Sequence, residues 1–204
     1  MKNAIIVAGP NGAGKTTFAE KYLDVHALEY ISADKIALKL NPEEPSKVRV
    51  QAGKLFFQGI EIAVESGRDL LIEVTLSGRG FRRTLHRLKQ AGYAVHLIFI
   101  FLNSPDLCVN RVRERVAQGG HGVPEEDITR RFYRSITNFW RIYKDIVDTW
   151  NIYSNFGADF HRVAVGEKGD HERHEKNTKF AKSFASFVTF RAFRDSNFVV
   201  CLRG

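Results

Sequence analysis

Apolar and polar positions along the 204-residue chain follow two alternating periods. Short, largely apolar runs at 4–8, 29–33, 69–75, 94–102 and 161–165 predict strands. The segments between them carry a helical period. The clearest stripe is Val48, Ala52, Leu55, Phe56, Gly59, Ile62 and Ala63, and it stops at Ser66-Gly67. Further helices are predicted over 80–90 and 105–118. A long one starts after Pro124, with Ile128, Phe132, Ser135, Ile136, Phe139, Tyr143, Ile146 and Trp150 on one face. Glu125, Glu126 and Asp127 occupy its first turn, where the helix dipole favours negative charge.

This alternation predicts an α/β fold, a parallel five-stranded sheet with helices on both faces. Ligands of such sheets bind beyond the carboxyl ends of the strands. Asp34, Glu73 and Thr75, together with the residues after Leu102, stand at such ends. The pattern supports one domain over 1–165. From 166 a charged stretch follows, then Phe180, Phe184, Phe187, Phe190 and Phe193 at roughly helical spacing. Residues 166–204 are therefore read as a linker and tail, docked on the core, offered to a partner, or a non-native extension. His171 and His174 lack companion ligands, which favours a solvated loop over a metal site.

Composition narrows the classes. Hydrophobic residues make up 44% and charged residues 26%, as in a globular domain. No apolar run reaches the roughly 18 residues of a membrane span, and the first residues lack a signal-peptide pattern. Cys108 and Cys201 give no disulfide framework, so the expected location is the cytoplasm. The 31 Lys+Arg against 23 Asp+Glu leave a charge of +8, which suits an anionic ligand. Arginines cluster at Arg111, Arg113, Arg115, Arg130, Arg131 and Arg134. The aromatics between them fall at core spacing and do not interleave as base-stacking platforms. That favours phosphate handling over nucleic acid as the primary ligand.

The chemistry centres on residues 9–16, Gly-Pro-Asn-Gly-Ala-Gly-Lys-Thr, which satisfy G-x-x-x-x-G-K-[ST] between a predicted strand and a predicted helix. Gly9, Gly12 and Gly14 let successive backbone N–H groups ring a phosphate chain, toward which the helix dipole also points. Gly9, Pro10, Asn11, Gly12, Ala13, Gly14, Lys15, Thr16 and Thr17 are the candidate ATP-binding residues. Lys15 would reach the β- and γ-phosphates, and the Thr16 hydroxyl would ligate Mg²⁺.

Asp34 follows the second strand, where a carboxylate can take the proton of an attacking substrate hydroxyl; it could equally cap the next helix. Glu73 ends an apolar strand, a costly position unless substrate, Mg²⁺ or an arginine solvates it. Glu73, Thr75 and Arg79 are the candidates for holding the acceptor. The glycine-rich segment 117–124 lies between arginine-bearing helices, as in a lid that closes over ATP. Arg115, Arg131 and Arg134 are its candidate catalytic charges.

Taken with the phosphate loop, Ile-Ser-Ala-Asp at 31–34, Glu-Val-Thr-Leu-Ser-Gly-Arg at 73–79, Arg-Val-Ala-Gln-Gly-Gly-His at 115–121 and Val-Pro at 123–124 resemble the zeta-toxin family. The match is to its standalone bacterial branch and covers residues 1 to about 165. The resemblance implies an ATP- and Mg²⁺-dependent kinase acting on a hydroxyl of a small acceptor, UDP-N-acetylglucosamine in zeta toxins, and an antitoxin protein as partner. By that similarity Asp34 matches the catalytic base, Glu73 and Thr75 the substrate-contacting pair, and Arg115 the first ATP-binding arginine. The family's second arginine precedes a proline, where this chain has His121-Gly122. Arg131 or Arg134 is then the replacement.

Other readings share the loop. A P-loop kinase of a nucleoside, another metabolite or a polynucleotide 5′-hydroxyl fits it, as does an ATP-binding module without catalysis. ABC-transporter ATPases carry the same string, and Leu76-Ser77-Gly78 weakly imitates their signature loop, but no apolar strand ending in Asp-Glu follows it, which disfavours that reading.

Overall fold

The computed structural model describes residues 1–120, 122–156 and 159–168. Strand β1 (Lys2–Ala8) runs into the glycine-rich loop and helix α1 (Lys15–Leu23). Strand β2 (Glu29–Ser32), helix α2 (Ala33–Leu40), a 3₁₀ turn (Pro45–Val48), α3 (Arg49–Glu65) and β3 (Leu70–Val74) follow. Then come α4 (Arg82–Gln90), β4 (Tyr93–Phe101), α5 (Pro105–Ala117), α6 (Glu125–Asn138), a π-helical turn (Phe139–Tyr143), β5 (Thr149–Ser154) and β6 (His161–Glu167).

The sheet order is β2-β3-β1-β4-β5-β6. Five strands are parallel, and β6 pairs antiparallel with β5. The expected sheet of five parallel strands is thus corrected to six strands with one antiparallel edge. The predicted strand at 161–165 is that edge: the few residues joining it to β5 are too short for a parallel crossover. The sixth strand, β5, is not predicted, and the predicted long helix runs into its start at Trp150. That helix ends at Asn138, its π turn ends at Tyr143, and Trp150 stands in a strand opposite Leu97. One apolar face at helical spacing was being satisfied by two elements. The Trp150 ring packs edge-on against Phe139 and Trp140 at centroid distances of 5.7 and 5.9 Å.

The strand period of two distributes the core. Ala4, Ile6 and Ala8 of β1 face one side of the sheet with Leu97 and Phe99 of β4, beneath α3, α4, α5 and α6. Ile5, Val7, Leu71, Ile98 and Ile100 face the other side, where Phe18 and Tyr22 of α1 cover them. On α3 the buried stripe is Ala52, Phe56, Ile60, Ala63 and Val64. Leu55 and Ile62, expected on that stripe, are exposed. The charged and Phe-rich tail with its two histidines lies outside the described residues, apart from its first few positions, as does His121.

Candidate active site

The loop after β1 takes a shape that side chains would forbid. Gly9 has φ 144°, and a Cβ there would lie 2.0 Å from the Ile100 carbonyl oxygen of β4. Gly14 is left-handed at φ 93° and starts α1, with Asn155 and Phe160 packed against it. Lys15 Nζ donates across the loop to the Pro10 carbonyl at 2.9 Å, and Lys15 is buried. The loop is held from behind. Asn155, just after β5, donates Nδ2–H to the Ala13 carbonyl at 2.8 Å, and its own carbonyl accepts from Arg111 of α5 at 2.9 Å. Asn155 carries no local signal, because the strand it follows is not predicted from the pattern. Once that strand is recognised, an asparagine at its carboxyl end becomes a candidate.

Strand parity sends Glu73 to the same place. Glu73 lies two residues after Leu71, so it points to the face that α1 covers, where Thr16 begins its helix. Thr16 Oγ1 stands 3.1 and 3.2 Å from the two Glu73 carboxylate oxygens. Tyr30 of β2 donates its hydroxyl to the same carboxylate. Burial, and then the Glu73 charge, push the Tyr30 phenol above its ordinary range, so it remains a donor. Tyr30 was not singled out by sequence; a tyrosine within an apolar strand reads as core.

A cavity of about 450 Å³ opens beside this cluster at the carboxyl edge of the sheet. Lys15, Ser32, Asp34, Glu73, Thr75, Ser77 and Arg131 supply its polar lining, and Phe56, Phe57 and Phe81 its aromatic lining. Asp34 does not cap α2: Ser32 does, accepting from the Lys35 N–H at 3.4 Å, which leaves the Asp34 carboxylate exposed to the cavity. Thr75 and Ser77 hydroxyls meet at 3.1 Å. Arg79 is exposed on the turn whose neighbours Gly78 and Gly80 line the cavity.

Of the three arginines expected on a lid, the structure brings one to this cavity. Arg131 of α6 lines it, donates to Asn11 of the loop at 3.4 Å, and pairs with Asp127 at 3.3 Å. Arg134 is exposed, one turn further along the helix. Arg115 is exposed in the last turn of α5, its carbonyl accepting from the Gly120 N–H at 2.8 Å. α6 also fixes the cavity wall. Leu76 is left-handed at φ 54°, a conformation that costs a branched residue free energy. Asn138 donates to its carbonyl at 2.9 Å, and Tyr143 donates to the Gly78 carbonyl at 2.5 Å. Burial pushes the Tyr143 phenol up to about 12, so it stays protonated as a donor.

Cys108 lies behind the loop, against Gly12, and burial pushes its thiol up to about 12. It is packing, not a nucleophile. No helix among the described residues is long and apolar enough to cross a membrane.

A family model described as an AAA domain matches residues 5–134. An uncharacterized protein of Haemophilus influenzae is 31% identical over 133 residues, covering 65% of this chain and 94% of that protein. Among solved structures, one from the PezAT chromosomal toxin-antitoxin system of Streptococcus pneumoniae aligns with a TM-score of 0.61 at 18% identity, over 93% of this chain and 88% of that one. The AvrRxo1-ORF1:-ORF2 structure with ATP aligns with a TM-score of 0.72 at 15% identity, over 100% of this chain and 66% of that one. The chain belongs to the AAA-domain family of P-loop proteins, and it shares its fold with the PezAT and AvrRxo1 structures.

Proposed function

We propose that the protein transfers the γ-phosphoryl group of ATP to a hydroxyl of a small acceptor held in the cavity. The observation that carries this reading is one lining shared by nucleotide and acceptor chemistry: Lys15, Asp34, Glu73, Thr75 and Arg131 meet in a single cleft. A nucleotide-binding switch needs the loop but has no use for a carboxylate facing an adjoining cavity. Asp34 would accept the proton of the attacking hydroxyl. Lys15 and the loop amides would bind the phosphates, with Arg131 as the charge that meets the transferring group. Arg115 would join it if the 117–124 segment closes as a lid, whereas Arg134, exposed one turn beyond Arg131, would contribute little.

The residues present fit a hard divalent cation: the Thr16 hydroxyl and the Glu73 carboxylate offer oxygen donors side by side. When bound there with ATP, Mg²⁺ supplies charge neutralisation of the phosphates. Glu73 thus stands where metal and acceptor meet, with Thr75 and Arg79 further along the acceptor side.

UDP-N-acetylglucosamine is the first acceptor to try, on the zeta-toxin resemblance. The likeness to a toxin-antitoxin structure supports a search for an antitoxin partner. The test is transfer from labelled ATP and Mg²⁺ to UDP-N-acetylglucosamine, a nucleoside set, a metabolite pool and a 5′-hydroxyl oligonucleotide, with Lys15→Ala as control. Lys15-dependent phosphorylation of a small hydroxyl compound is expected. Transfer to the oligonucleotide alone would assign a polynucleotide kinase; ATP binding with no transfer to any acceptor would assign a nucleotide-binding module.

A further inference from the structure

The turn that follows α6 is π-helical over Phe139–Tyr143, closed by the Lys144 N–H donating to the Phe139 carbonyl at 3.0 Å. In an α-helix, residues five apart point about 140° away from one another. A π turn, bonded i to i+5, brings such residues back toward one face. Asn138 and Tyr143 are five apart, and both reach the same short segment. Asn138 Nδ2 donates to the Leu76 carbonyl at 2.9 Å, and the Tyr143 hydroxyl donates to the Gly78 carbonyl at 2.5 Å. Both residues are buried, so neither contact is a surface accident.

The segment they reach has no such shape of its own. Leu76 is the one non-glycine residue with positive φ among the described residues, and its side chain is buried. A left-handed leucine persists only where surrounding contacts over-determine it. Leu76, Ser77 and Gly78 form part of the cavity lining, next to Thr75 and Glu73. The same helix carries Arg131, one of the cavity's polar residues and a donor to Asn11 of the phosphate loop. One rigid rod therefore touches the nucleotide loop at Arg131 and the cavity's far wall at Asn138 and Tyr143.

We propose that Asn138 and Tyr143 are positioning residues for the acceptor wall, and that the π turn serves to aim both at the 76–78 segment. This rests on the phosphotransfer reading for the word acceptor, but the positioning itself does not depend on activity. Asn138 holds the left-handed turn from one side and Tyr143 from the other, so the hydroxyls of Thr75 and Ser77 keep a fixed relation to Asp34. Disturbing either contact loosens the wall without touching the phosphate loop.

The experiment uses Asn138→Asp and Tyr143→Phe in the full chain. Tyr143→Phe removes one donor at nearly the same volume, and Asn138→Asp replaces the amide donor with a carboxylate facing the Leu76 carbonyl. Hydrogen exchange followed by mass spectrometry reads the local effect: exchange across 75–81 should rise about 3- to 10-fold in Tyr143→Phe, as expected for losing one hydrogen bond, and at least as much in Asn138→Asp. Exchange across 9–20 and ATP affinity should stay at their wild-type values. Where an acceptor is in hand, its KM should rise several-fold, with the KM for ATP unchanged. Unchanged exchange across 75–81 in both variants overturns the proposal, and so does equal loosening of 9–20, which would indicate general destabilisation. Faster exchange confined to 75–81 in a protein that phosphorylates nothing leaves the positioning standing and removes the phosphotransfer reading instead. If Asn138→Asp fails to fold, Tyr143→Phe, which keeps the buried ring, decides alone.

Discussion

The Thr16 hydroxyl lies between the two carboxylate oxygens of Glu73, at 3.1 and 3.2 Å, although 57 residues separate them in the chain. Thr16 belongs to the nucleotide loop, whereas the resemblance to zeta toxins gives Glu73 to the acceptor. Parallel pairing of β1 with β3, Val7 opposite Glu73, puts both at one sheet edge. Glu73 is accordingly predicted to serve both ligands. Glu73→Gln should raise the Mg²⁺ concentration needed for half-maximal ATP binding several-fold and also raise the acceptor KM. Titration calorimetry at graded Mg²⁺ checks the first effect. An unchanged Mg²⁺ dependence would confine Glu73 to the acceptor.

Asp34 is free to act because Ser32 takes the helix cap. Asp34→Asn removes the proton acceptor and costs no capping bond. It should fold with wild-type thermal stability and bind ATP normally, yet lose about 10²–10⁴ in turnover. Single-turnover transfer with the identified acceptor measures this. Near-full activity in the variant would reduce Asp34 to a surface carboxylate.

Arg131 should dominate the arginines. Arg131→Ala is expected to lower kcat by about 10²-fold or more with little change in ATP affinity, since a donor aimed at transition-state charge contributes that much. Arg134→Ala, on an exposed position, should stay within about threefold of wild type. Arg115→Ala reports on closure. A kcat loss matching that of Arg131→Ala requires the end of α5 to move toward the cavity, and a negligible one means this segment stays put.

Asp148 gives a pH-dependent test away from the cavity. Burial alone would raise its pKa, but hydrogen bonds from Lys89 and from the Val95 N–H, together with the Lys89 charge, outweigh it and hold the carboxyl below its ordinary value of 3.8. The Val95 contact is 2.9 Å and ties the start of β5 to β4. Because the folded pKa is the lower one, the stabilisation is fully present above about pH 4 and fades as pH falls through the native value. Asp148→Asn should therefore melt at a lower temperature than wild type near neutrality, with the gap closing below about pH 4. A gap independent of pH would mean that the charge contributes nothing.

Local pattern determined much of this protein. The phosphate loop, the strands leading to it, Asp34 in the first turn of α2 and Glu73 at the end of β3 were legible because each depends on a few neighbouring residues. Glycine permissiveness, strand alternation and helix capping operate over that range. What the chain's pattern did not reveal depended on residues far apart. Trp150 was placed on a helix face, since an apolar residue at helical spacing looks the same whether one element or two bury it; only pairing with Leu97 made it strand. Tyr30 and Asn155 look like ordinary strand and loop residues until tertiary packing brings them to Glu73 and Ala13. Among the three arginines expected on a lid, sequence spacing did not choose. The rotation of α6 on the sheet, fixed by Ile128, Phe132 and Ile136 in the core, turned Arg131 to the cavity and Arg134 to solvent.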